Sequence, residues 1–347
     1  MPPTLIIGAG IVGLHVAQAL HQKGHEVFVL EESPYLAEHT SGRNSGVAHT
    51  GIYYETGSLK EKLCCEGNQL THEWLRKLKV THLECGKWVI ANPGHEDELE
   101  IFYKRISPLP IPQPVLKTAA QIKSEEPNLR PTPAIFVPSA FVMDAAGYVK
   151  ALANFVATLG VQIIQPCRVT GVQDNTLSTT RGPIQFDLAI NCAGLFCDDI
   201  AKMTGITNYQ IKPCRGDYYV ASKQLTHRPV YHLPQKGDHA LGIHFTPTVD
   251  GQTLIGPNAF FIDDKTDYHH RSEVTPFMTA LAEDLPGCEK INLTKGFSGN
   301  RPRLFKEGKP VTDFVFLKNK NWIHCLGIES PGLTAAPAIA RHVNRII

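Results

Sequence analysis

Apolar residues come in short runs separated by longer stretches of mixed character. Thr4–Ile7 is a four-residue apolar run that passes straight into Gly8-Ala9-Gly10-Ile11-Val12-Gly13, and a second run, 26–30, ends on Glu31. Short apolar runs bounded by glycine predict buried strands, and the intervening residues 14–23 read as the helix that crosses between them. Residues 33–58 are rich in Gly, Ser, Thr and His where a buried crossover would be apolar, which predicts a long loop with a functional task. Leu59, Leu63, Leu70, Trp74, Leu75 and Leu78 recur at helical spacing, and 86–91 reads as a strand. Four prolines within 108–114 preclude helix and interior strand, so this is a rigid connector. The pattern then predicts a helix over 145–159 with Asp144 as its N-cap, followed by strands at Gln162–Ile164, 168–172 and 187–192. From 211 to 255 it turns β-rich, with strands at 218–221, 241–245 and Thr253–Ile255. A strand at Trp322–Leu326 and a helix at 335–343 close the chain, Pro331 sitting where a first-turn proline is tolerated. No internal repeat is visible.

This order predicts an α/β plus β fold: a Rossmann-like dinucleotide-binding domain assembled from both ends of the chain, with an inserted, mostly antiparallel β domain for the substrate. The expected division is 1–84, 139–210 and 296–347 for the first domain and 85–138 and 211–295 for the second.

The opening segment has the strand, glycine turn, helix, strand and terminal acid of a dinucleotide fingerprint. Gly8 permits the tight turn, Gly10 lets the backbone approach a pyrophosphate, and Gly13 lets the helix pack on the strand. The phosphates would rest on unpaired N–H groups at the helix start, and Glu31 would accept the ribose hydroxyls. Whether the dinucleotide is NAD or FAD is not decided by these residues.

Composition narrows the class. The 347 residues suffice for two domains, and 42% hydrophobic with 19% charged residues suits a folded globular chain. Thirty-four Lys plus Arg against 33 Asp plus Glu leave +1, which offers no basic field for nucleic acid. No apolar run nears the roughly 18 residues of a spanning helix, and no leader precedes the first strand. The expectation is a cytoplasmic protein, with peripheral contact at the inner membrane face left open. Nine cysteines without a C-x-x-C pair read as reduced thiols, and no histidine pair has ligand spacing on a helix, so no metal site is expected.

Several segments resemble the D-amino-acid oxidase-like superfamily of FAD-dependent oxidoreductases, and within it the L-2-hydroxyglutarate dehydrogenase/oxidase family. The matching stretches are Gly8 to Gly13, Ser41-Gly-Arg-Asn-Ser-Gly-Val-Ala-His-Thr-Gly-Ile-Tyr-Tyr54, Gly57-Ser-Leu-Lys60, Asn191-Cys-Ala-Gly194, Arg215-Gly-Asp-Tyr-Tyr219, Leu241-Gly-Ile-His244, Gly256-Pro-Asn258 and Gly327-Ile-Glu-Ser-Pro-Gly-Leu-Thr334. They cover nearly the whole chain in order. The resemblance implies FAD, with Ser41, Arg43, Asn44, Ser45 and Gly46 along the pyrophosphate and flavin. It also implies Val169 at the adenine and Ala193-Gly194 at a close strand end. Gly327 and Gly332-Leu333-Thr334, the latter opening a helix, would present N–H groups to the flavin carbonyl edge.

For the chemistry, Arg301 in Gly-Asn-Arg-Pro matches the family's G-x-R-P element, and its planar fork can grip a carboxylate. His49 and His244 are candidates for the base that accepts a hydroxyl proton as hydride leaves C2, with His244 slightly preferred because it stands on the expected roof. Tyr53, Tyr54, Arg215 and Tyr219 are candidates for a second carboxylate. Tyr218 and Tyr219 point to opposite faces of one strand, so only one can reach the pocket. The expected activity is oxidation of an L-2-hydroxy acid, L-2-hydroxyglutarate first, with a quinone or oxygen as electron acceptor. Rivals are an amine or amino-acid oxidase of the same fold, of the glycine or sarcosine oxidase kind, and a flavin-binding RNA-modification factor, against which the neutral charge balance speaks. Departures from the family pattern include a short 108–114 region, Thr50 in place of alanine, and only part of the expected strand before Ala145.

Overall fold

The computed structural model describes residues 3–92, 94–234, 242–288 and 290–347. Its first layer is a six-stranded sheet in the order Val315–Asn319, Trp322–Leu326, Leu188–Asn191, Thr4–Ile7, Val27–Leu30, Gln162–Ile164. Every pairing is parallel except that of the edge strand Val315–Asn319. The strand Thr4–Ile7 is buried throughout, the behaviour of a parallel strand covered on both faces. Helices Ile11–His21, Leu59–Leu78, Ala145–Thr158 and Gly332–Ile346 cover one face and share a core with Ile6, Val27 and Val29, while Leu5, Ile7 and Leu30 on the other face pack in a second cluster with Val169, Leu177 and Phe186. Gly67 lets two of these helices touch: a Cβ there would stand 2.4 Å from the Thr334 carbonyl oxygen.

The helix Leu59–Leu78 has the predicted bounds, with the Ser58 side chain accepting from the Glu61 N–H. Asp144 caps Ala145–Thr158 by accepting from the Gly147 N–H at 2.8 Å. The first helix starts at Ile11 rather than 14, directly on Gly10, and the last starts at Gly332 rather than 335. Strand 168–172 is realised as Val169–Gln173 and belongs to a three-stranded antiparallel meander with Thr176–Thr179 and Gly182–Gln185, neither of which the apolar pattern shows.

Among the described residues the second large sheet has ten strands. Its spine is the antiparallel pair Tyr209–Ala221 and Leu293–Lys306. The expected divisions at 210/211 and 295/296 fall inside these two strands, which are long enough to run continuously from beside the first sheet into the platform. Thr253–Ile255 is a strand as expected; of the strand expected at 241–245, Leu241 lies outside the described residues and the strand there is Phe245–Pro247. Lys87–Ile90 joins this sheet parallel to Val230–His232, while Ala134–Val137 pairs antiparallel on its other side. Among the described residues no helix is long and apolar enough to cross a membrane.

Candidate active site

A cavity of about 950 Å³ lies between the two large sheets. At one end is the glycine turn. Gly8 has φ +103°, and a Cβ there would stand 2.6 Å from the Cys192 carbonyl oxygen, while a Cβ on Gly13 would stand 2.0 Å from that of Gly8. Gly8 and Gly10 line the cavity, and Gly13 lies behind them as the packing contact. The Glu31 carboxylate accepts from the Ala9 N–H at 2.8 Å and the Ser33 N–H at 2.9 Å, so its orientation is set by backbone before any ligand arrives. Val169 and Ala193-Gly194 line the same end.

The long polar loop forms the next wall. Ser41, whose Oγ accepts from the Ile11 N–H at 3.1 Å, lines the cavity with Arg43, Asn44 and Ser45. Asn44 folds the loop on itself: its amide donates to the Thr40 and Ser41 carbonyls and its oxygen accepts from the Gly46 N–H. Gly46 shapes this wall without lining it, since at φ +68° a Cβ would stand 2.2 Å from the Met143 carbonyl oxygen. Gly332 and Leu333 line the cavity at the start of the last helix. Thr334 is buried just behind, its Oγ1 accepting from the His49 N–H at 2.9 Å, and Gly327 packs against Leu304.

At the far end stand the chemistry-bearing side chains: Arg301, His49, His244, Tyr53 and Tyr54 all line the cavity. Gly216 makes room for the Arg301 guanidinium, because a Cβ there would stand 2.9 and 3.0 Å from its terminal nitrogens. Among the described residues that guanidinium hydrogen-bonds only at long range, 3.4–3.5 Å, to the Arg215 and Asn258 carbonyls. His244 Nδ1 lies 3.0 Å from the Gly242 carbonyl, which can only accept, so the neutral ring carries its proton on Nδ1 and its lone pair on Nε2. Burial pushes His244 and His49 down to about 3, with the charges of Arg301 and Lys87 adding to the effect at His244 and of Lys87 at His49. Both rings are therefore neutral at physiological pH.

Two expected substrate contacts are corrected. Arg215 is fully buried outside the cavity, donating to Asn300 Oδ1 at 2.9 Å and to the backbone carbonyls of Asp267 and His269, so it holds the 267–269 loop. Tyr219 also turns away: its hydroxyl donates to the Ser272 carbonyl and its ring packs on Phe277. Strand alternation brings Tyr218 to the cavity instead.

Other contributors lie outside the candidate residues read from the sequence. Lys60 and Arg303 both line the cavity and share one carboxylate oxygen of Glu329, at 2.9 and 3.0 Å. Tyr231 stacks on His244. Lys87 is fully buried and, among the described residues, its ammonium has no hydrogen-bond partner; it lies 4.4 Å from the Tyr53 ring centroid and 5.1 Å from that of Tyr231. Burial lowers it to about 7.

The family whose sequence pattern matches residues 4–346 is described as FAD dependent oxidoreductase, DAO. The chain belongs to that family. The L-2-hydroxyglutarate dehydrogenase of Escherichia coli K12 is 27% identical, covering 98% of this chain and 91% of that protein. A glycerol 3-phosphate dehydrogenase of Caloramator mitchellensis is 28% identical over 99% of this chain and 73% of its own. Among solved structures, an L-alpha-glycerophosphate oxidase of Mycoplasma pneumoniae with FAD bound superposes with a TM-score of 0.87 at 26% identity, covering 99% and 94% of the two chains. The glycine oxidase of Geobacillus kaustophilus, at 18% identity and a TM-score of 0.84, shares the fold.

As a member of the DAO family this enzyme is an FAD-dependent oxidoreductase, and its cavity fits that cofactor. The bare backbone at Gly8 and Gly10, the preset Glu31 carboxylate and the helix start at Gly332 are the cradle a dinucleotide and a flavin carbonyl edge require.

Proposed function

We propose that this oxidoreductase converts an L-2-hydroxy acid, L-2-hydroxyglutarate before others, to the 2-oxo acid. The observation that carries the proposal is one cavity wall holding an arginine fork with weak protein contacts beside a neutral histidine whose tautomer is set. Bound FAD supplies the acceptor, at flavin N5, for the hydride from C2. Gly8, Gly10, Glu31, Ser41, Arg43, Asn44, Ser45, Val169, Ala193, Gly194, Gly332 and Leu333 would hold that cofactor.

Arg301 grips the carboxylate beside the reacting carbon through two parallel hydrogen bonds. His244 takes the hydroxyl proton on Nε2, while His49 stands on the loop beside the cofactor. Lys60 and Arg303 against Glu329 leave one positive charge in excess at the cavity, and with Tyr53 and Tyr54 they suit a second anionic group, as in a five-carbon diacid. The named function of the E. coli relative agrees with this reading. A quinone or oxygen would serve as the final electron acceptor.

Anaerobic mixing with L-2-hydroxyglutarate should bleach the flavin band within the dead time of hand mixing. Bleaching by sn-glycerol 3-phosphate alone would move the substrate to a phosphate ester. Bleaching by glycine or sarcosine alone, with turnover surviving loss of both His49 and His244, would make it an amine oxidase.

A further inference from the structure

We propose that His72, His82 and Glu84 form a binding site for a divalent transition-metal ion of the zinc class, separate from the flavin cavity. None of the three lines that cavity. His72 projects from the helix Leu59–Leu78, and His82 and Glu84 come from the short strand His82–Leu83 and the residue after it. The spacing of histidines along the helix alone therefore gives no sign of the site.

The geometry is close to what an ion requires. One ligand atom from each residue falls within 4.8 Å of the others. His72 Nε2 lies 2.8 Å and His82 Nε2 3.5 Å from Glu84 Oε1. A tetrahedral ion with metal–nitrogen bonds of about 2.1 Å separates its ligand atoms by roughly 3.4 Å, so small side-chain rotations suffice.

The His82 ring is also prepared, while His72 Nε2, now donating to Glu84, gives up its proton on binding a metal. His82 Nδ1 lies 2.8 Å from the Val80 carbonyl, an acceptor only, so that nitrogen donates and Nε2 keeps its lone pair for a metal. The two imidazoles meet edge to face at 5.4 Å and both pack on Phe141, at 5.2 and 6.3 Å, which limits their rotation. Glu84 Oε1 accepts from Arg76 and from His72, each at 2.8 Å, and an exposed carboxyl is ionised at neutral pH. Two imidazoles and one carboxylate favour zinc, nickel or copper over calcium or magnesium, and leave one coordination position to water. Arg76 competes for the same Glu84 oxygen at 2.8 Å, but its side chain is 62% exposed and free to swing out. A bound ion would clamp the helix to the strand. Asn68 on that helix donates to the His49 carbonyl, so the clamp would brace the loop that carries a cavity residue.

The test is Zn²⁺ titration of chelator-treated holoprotein at pH 7.5 against a chromophoric competitor. The expected result is one ion per chain, binding weakened at least about tenfold in His72→Gln and in His82→Gln, and tightened in Arg76→Ala. Flavin absorbance reports that each variant is folded. Absence of stoichiometric binding to the parent chain, or unchanged affinity in both histidine variants, would overturn the proposal.

Discussion

The Tyr231 ring lies almost flat on the His244 imidazole, their centroids 4.0 Å apart and their planes inclined by 27°. Stacking holds one face of the imidazole, and the Gly242 carbonyl holds its Nδ1–H, leaving Nε2 as the basic atom. His244→Asn keeps the size and a hydrogen-bonding group but removes the proposed base. It should slow flavin reduction by L-2-hydroxyglutarate roughly 10²- to 10⁴-fold with little change in substrate affinity, as read by stopped-flow absorbance. A loss under threefold would remove His244 from the proton transfer.

Lys87 sets the electrostatic background of the same wall. Its charge opposes protonation of His49 and His244, so Lys87→Met should move the acid limb of flavin reduction to higher pH. The parent enzyme should show no histidine limb near 6.5, since both histidines lie at about 3. Because the ammonium is buried without a partner among the described residues, the methionine variant should be at least as stable to urea as the parent. A pH profile identical to the parent's would show that Lys87 does not act on the histidines.

Acid should destabilise the fold early. Burial lowers His15, His49 and His244 to about 3 and His324 to about 4. In the unfolded chain these rings protonate near 6.5, so the unfolded state binds more protons below that pH. The stability they contribute is whole above 6.5 and is lost as pH falls from 6.5 towards 3. Each histidine should cost on the order of 1.4 kcal/mol per pH unit within that window. Urea midpoints at pH 7 and pH 5 measure this, and equal midpoints would contradict it.

Glu31→Ala removes the proposed acceptor for the ribose hydroxyls and leaves the Ala9 and Ser33 amides without their carboxylate. Loss of a charged hydrogen bond of about 1.5–3 kcal/mol should weaken FAD roughly ten- to a hundredfold. The ratio of flavin to protein absorbance after desalting reports it.

The adjacent tyrosines of the long strand should behave differently. Tyr218→Phe alters a cavity residue and should raise KM. Tyr219→Phe should cost about 1 kcal/mol of stability through its lost bond to the Ser272 carbonyl, with KM unchanged. Gly216→Ala should raise KM sharply by pushing on the Arg301 fork, and the reverse ranking in a steady-state assay would show that the fork does not face substrate.

Much of the outcome was legible locally. The glycine turn, Glu31, the helix Leu59–Leu78 with its Ser58 cap, and the strand Trp322–Leu326 rest on periodicity, capping and backbone freedom, which neighbouring residues express by themselves. The polar loop at 33–58 read as functional for the same reason: buried backbone without apolar cover needs a partner.

Contacts between distant segments were decided only by folding. The alternation rule allowed one of Tyr218 and Tyr219 into the cavity, but which face of the strand looks inward depends on how Tyr209–Ala221 registers with Leu293–Lys306. Arg215 carried a suitable charge for an anionic substrate, yet the loop around Asp267 wraps it and takes its donors. Lys60 meets Glu329 across 269 residues of chain, with Arg303 on the same oxygen, and even His72 and Glu84, 12 residues apart, are joined only because the strand after the helix folds back beside it. Local sequence governs dihedrals and apolar faces; convergence of charges across sheets is set by packing, and that is where the chemistry of this site was assembled.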